Sequence, residues 1–220
     1  MVMLRMLGLV LLLLLMGTTN YAGIASAQES QLELLRRPIS MRLNKATIIL
    51  VASTLSTEKD VPIGLIMSSS GNNEPNIDIN VTAVPLVELL NMIVQQTKVY
   101  GWEYRDGVIN FYPTRDSDPF FKKLLDTQVA GFAPKTNNKF EIRNAILDLP
   151  EVKLLMAAEK VKAERFSYVY YPSIYANNAK LNAEHLDVKS LLNKIIRESE
   201  HNLYVLRWSR KDIREFELGF

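Results

Sequence analysis

The sequence predicts an α+β fold of two tandem βαββαββ-type modules, with helices packed on small mixed sheets. Three observations lead there. Leu86, Leu89, Leu90, Ile93 and Val94 lie at i, i+3, i+4, i+7 and i+8, and Val188, Leu191, Leu192, Ile195 and Ile196 take the same steps 102 residues later. Asn91 and Asn193 complete a Leu-Leu-Asn in both copies. Upstream, Ile77, Ile79 and Val81 alternate as a strand does, and Ala179, Leu181 and Ala183 stand at the matching positions. Downstream, Trp102 aligns with Tyr204 and Tyr104 with Leu206.

In the first module, residues 38–113, Ile39 to Leu43 reads as a short strand and Asn44 as a helix N-cap. Ile48, Val51, Ala52 and Leu55 then share one helical face. A strand follows at about Pro62 to Ser69, and Ser68 to Pro75 has the composition of a turn. After the Ile77 strand, Pro85 suits a first helical turn, where its missing N–H costs nothing. Asp106-Gly107 is a two-residue hairpin loop between Trp102 and Tyr112, because both central positions need positive φ. That register sets Tyr104 opposite Ile109 and Trp102 opposite Phe111, with Glu103, Arg105 and Asn110 on the outward face.

The second module, residues 140–220, repeats the order: Phe140 to Asn144 as strand, Leu149 to Val161 as helix, Phe166 to Tyr171 as strand, then the matched strand, helix and hairpin. Asp187 caps its second helix. Residues 114–139 read as a linker holding one short helical stretch around Phe120 to Leu125. Phe216, Leu218 and Phe220 alternate as an apolar last strand; the interrupting helices argue against a membrane barrel.

Residues 1–27 read as a signal peptide. Arg5 precedes the apolar run Met6 to Met16, and Ala25-Ser26-Ala27 forms the small-x-small cleavage pattern before Gln28. The run is too short to span a bilayer, so no mature transmembrane helix is expected. Residues 28–37 form an N-terminal tail. The expected location is the periplasm, with outer-membrane association as an option.

A net charge of +2 is too small for a phosphate-binding footprint, which disfavours nucleic acid as a partner. With no cysteine there is no disulfide, thiol nucleophile, Cys-ligated zinc or lipidation cysteine. Gly-x-Ser-x-Gly and Gly-rich phosphate loops are absent, and the two histidines, His185 and His201, do not form a spaced ligand pair. No cofactor, metal or catalytic residue is therefore assigned. Carboxylate pairs such as Glu141 with Asp148 or Glu215 with Glu217, and Glu184 beside His185, are the material an acid–base hydrolase would need. The aromatic run Tyr168 to Tyr175 supplies the candidate partner interface, Tyr170 and Tyr175, because exposed tyrosine offers contact area at little rotamer cost. Asn91 and Asn193 read as exposed polar helix positions.

Pro85-Leu-Val-Glu-Leu-Leu-Asn-Met-Ile-Val-Gln-Gln-Thr97 and the hairpin from Trp102 to Pro113 resemble the secretin and TonB short N-terminal domain, and Asp187 to Ser199 with Leu203 to Trp208 resemble it more faintly. Where that family often has Gly before the hairpin, this chain has Lys98-Val99. The resemblance implies a periplasmic docking domain without chemistry of its own. The expected function is thus an exported, non-catalytic protein-interaction module, accessory to an envelope, secretion or TonB-linked complex. Docking would use an exposed sheet edge. The alternatives are a peptidoglycan-acting hydrolase using paired carboxylates, and a self-assembling homo-oligomeric envelope protein whose modules stack head to tail.

Overall fold

The computed structural model describes residues 32–67, 75–115, 117–134, 139–164, 181–198 and 202–220. The fold is mixed α+β. The first half runs β1 (Pro38–Ala46), α1 (Ile48–Lys59), β2 (Ile63–Ile66), β3 (Ile77–Pro85), α2 (Leu86–Thr97), β4 (Tyr100–Arg105) and β5 (Val108–Pro113). The second runs α3 (Pro119–Asp126), β6 (Gln128–Phe132), α4 (Lys139–Leu147), α5 (Pro150–Glu159), β7 (Lys162–Ala163), β8 (Ala183–Asp187), α6 (Val188–Glu198), β9 (Leu203–Arg210) and, after a 3₁₀ turn, β10 (Glu215–Gly219).

Local chemistry explains the clearest boundaries. Thr47, not Asn44, caps α1: its hydroxyl accepts from the Leu50 N–H at 3.3 Å, and β1 continues past Asn44 to Ala46. Pro85 ends β3 and sits one position before α2. Asp187 caps α6 by accepting from the Ser190 N–H at 2.7 Å. Asp106 and Gly107 have φ of 53° and 81°, the left-handed pair that a tight hairpin turn needs, and β4 and β5 adopt the expected register.

The strand pairings of the two halves correspond. β1 pairs antiparallel with β3, and β6 with β8. β2 lies parallel to β5 beside the β4–β5 hairpin, and β7 lies parallel to β10 beside the β9–β10 hairpin. Ala83 and His185, 102 residues apart, both have φ of 53°, a conformation uncommon outside glycine. The strand opening the second half is therefore β6, inside the segment expected as linker. Phe140 to Asn144, expected as a strand, is part of helix α4, where Ile142 and Ile146 are buried one turn apart. The expected strand Phe166 to Tyr171 lies outside the described residues.

The hairpins do not keep separate sheets. One six-stranded sheet runs β4-β5-β2-β9-β10-β7, and β2 meets β9 in parallel. Alternate side chains divide the core between the faces of this sheet. Ile63 and Leu65 of β2 join Ile109 and Phe111 under the helices of the first half. Ile66, Val108, Tyr204 and Leu206 point the other way, into the core of the second half. The molecule is thus a helix–sheet–helix sandwich with one half's helices on each face. Helix α3 belongs to that second core, because Phe120 and Phe121 pack on Trp208 and Phe216 at centroid distances of 5.1–6.1 Å. Among the described residues no helix is long and apolar enough to cross a membrane.

Candidate functional site

Two features of the sheet stand out: the junction joining the halves and the edge at β4, which no described strand pairs. At the junction, the Ile63 N–H donates to Asn202 O at 2.7 Å and the Met67 N–H to Leu206 O at 2.8 Å. Gly64 lies between Asn110 and Tyr204 in the register. The Tyr204 ring crosses the space a side chain would fill at Gly64, and its hydroxyl donates to Asn110 Oδ1 at 2.6 Å. The Asn110 amide in turn donates to Val108 O. Burial first, then the nearby Glu103 charge, pushes the Tyr204 phenol above its ordinary pKa, so it stays a neutral donor. Tyr204→Phe should cost about 1–3 kcal/mol, because it leaves a buried acceptor unpaired, and denaturant unfolding will read it as a lower midpoint.

Helix α6 of the second half seals the junction against the first half's hairpin. Lys189 forms an ion pair with Glu103. Arg105 reaches Asp187 and donates to the Ser190 hydroxyl at 2.9 Å. Asn193 donates to Arg105 O at 3.1 Å, and Arg197 to Asp106 O at 2.8 Å. Asn193 is fully buried, which corrects the expectation that it faces solvent; Asn91 is exposed as expected, accepting from Trp102 Nε1. Asn110, expected to face outward, is buried, with its amide oxygen accepting from the Tyr204 hydroxyl.

Burial works against the Asp187 carboxylate, but hydrogen bonds from the Ser190 N–H, Arg105 and the Ser190 hydroxyl outweigh it and hold its pKa below the ordinary value of 3.8. A carboxylate depressed in the folded state lends stability that is complete above its unfolded pKa and lost as pH falls through the folded one. Between neutral pH and the acid side of 3.8, the native protein should lose more stability than Asp187→Asn does. Parallel denaturant titrations across that range check the difference in slope.

At its far end the sheet terminates in β4. The Thr114 N–H donates to Val99 O at 2.8 Å, which fixes the phase of the ladder. Gly101, Glu103 and Arg105 therefore exchange bonds with β5, and the N–H and C=O groups of Trp102 and Tyr104 point away from it. Among the described residues no strand lies beyond β4, and β7 ends the opposite side.

The other expected site residues do not converge. Tyr170, Tyr175 and His201 lie outside the described residues. His185 and Glu184 are exposed on β8. Glu141 is exposed on α4, and Asp148 pairs with Lys153 at 3.0 Å. Glu217 pairs with Arg207 at 2.6 Å on β10, which also carries Glu215. Among the described residues, no three His, Cys, Asp or Glu side chains gather in a group able to hold a metal. Gly64 and Tyr204 carry the junction, and their only sequence signal was a lone glycine in the apolar run Ile63 to Ile66, a frequent mark of close approach in a strand. No protein-family model, curated protein or solved structure matches the chain.

Proposed function

We propose that this chain is a non-catalytic docking protein of the cell envelope, two copies of one module fused through a shared sheet, which engages protein partners by strand addition at β4. The observation that carries this reading is the row of outward backbone groups at Trp102 and Tyr104, which a partner strand can satisfy. Export follows from the leader-like residues 1–27, so the mature chain is expected to begin at Gln28, and N-terminal sequencing of the envelope form tests that. The resemblance to the secretin and TonB short N-terminal domain supports the same setting.

A photoreactive residue placed at Tyr104 in envelope-localised protein tests the docking surface. Light-dependent protein adducts are expected from position 104 and not from Leu154, which is 72% exposed on the far helix α5. Adducts of equal yield from both sites, or none from 104, would refute docking at β4.

A further inference from the structure

We infer that the partner completing the β4 edge is a second copy of this chain, whose β7 lies alongside β4 as β2 lies alongside β9 within one molecule. The inference rests on the docking and duplication readings above and names the occupant of that edge.

The strand directions allow the same contact between copies. The triplets β4-β5-β2 and β9-β10-β7 have the same internal pairing, yet β2 runs parallel to β9. A half-turn about the line crossing the strands relates one triplet to the other, reversing strand direction and exchanging faces. This is why the helices of the halves cover opposite faces. Applying the operation again sets β7 of one copy parallel to β4 of the next. The residues match as well: Tyr204 and Leu206 face β2 at the internal junction, and their counterparts 102 residues earlier, Trp102 and Tyr104, are the ones whose backbone points off the open edge.

The side chains complement in the same way. Helix α6 lies on the neighbouring hairpin through Lys189 with Glu103, Arg105 with Ser190, and Asn193 with Arg105 O. The counterparts are Val87 with Val205, Arg207 with Glu88, and Asn91. An ion pair becomes an apolar pair with both members changed together; Pro85 stands where Asp187 does, so the acid facing the arginine moves to Glu88, opposite an Arg207 that also pairs with Glu217 in its own molecule. Val87 and Val205 are half-buried, and Glu88, Asn91 and Arg207 are exposed. The repeated asparagine is thus buried where its junction is made and open where no second copy is bound. Such a contact is heterologous and propagates into filaments or closes into a ring.

The absence of cysteine makes the test direct. Chains carrying Val87→Cys and chains carrying Val205→Cys are mixed and treated with a short bis-maleimide. A cross-linked dimer is expected from the mixture and not from either variant alone. Glu103→Cys with Lys189→Cys in one chain should close internally and reports that the fold and the chemistry are intact. Closure of that control with no dimer in the mixture, or equal dimer from a single variant, overturns the inference. If position 104 still yields adducts with a different protein, the docking reading survives; if it yields none, both fail.

Discussion

Gly64→Val is expected to break the junction between the halves and to lower the stability of the whole molecule. A β-carbon at position 64 would lie 2.5 Å from Asn110 Oδ1 and 2.5 Å from the Tyr204 hydroxyl oxygen. Neither side chain has solvent to retreat into: Tyr204 is fully buried and Asn110 is 1% exposed. Overpacking of this kind costs roughly 1–3 kcal/mol. Separating the Tyr204–Asn110 hydrogen bond inside the core adds roughly 1–3 kcal/mol. The sum is a large share of the roughly 5–15 kcal/mol that holds a protein of ordinary stability. Thermal and denaturant unfolding should both shift strongly, with the fluorescence of the two halves changing together because they share one sheet. A shift no larger than that of an exposed glycine such as Gly131 would mean that the chain does not close over Gly64.

Phe120→Ala carries the other large effect. Phe120 is 1% exposed, with its ring 5.2 Å from Phe216 and 5.7 Å from Trp208. Removing a buried phenylalanine typically costs about 3–5 kcal/mol, the lost transfer free energy plus the cavity left behind. Equilibrium unfolding measures it. A cost below about 1 kcal/mol would return α3 to the status of a surface linker helix.

Much of the local structure was legible in the sequence. The β4–β5 hairpin followed from Asp106-Gly107 between alternating apolar residues, and α2 and α6 from an unbroken helical stripe; these signals are local, and tertiary contacts only reinforce them. Phe140 to Asn144 reads as a strand because Phe140 and Ile142 alternate with Glu141 and Arg143, a run too short to separate a strand from a helix whose buried Ile142 and Ile146 lie four apart. Gln128 to Phe132 showed no strand signal because Gly131 interrupts it, and pairing with β8, more than 50 residues away, makes it a strand.

The candidate site was less legible for the same reason. Asn193 sits on the polar side of its helix by periodicity, and nothing within α6 shows that the hairpin of the other half covers that side. Gly64 and Tyr204 meet only because β2 and β9 pair across about 140 residues of sequence. Long-range pairing of strands leaves little trace in local composition.

Amide hydrogen exchange on dilute protein reads at once two parts of one continuous sheet, its closed centre and its unpaired β4 edge. The N–H groups of Ile63 and Met67 should exchange only through global unfolding, because they donate across the junction. Those of Trp102 and Tyr104 should exchange orders of magnitude faster and become protected as concentration rises. Rapid exchange at Ile63 and Met67, or protection at Trp102 and Tyr104 in dilute monomer equal to that of the junction, would contradict this arrangement.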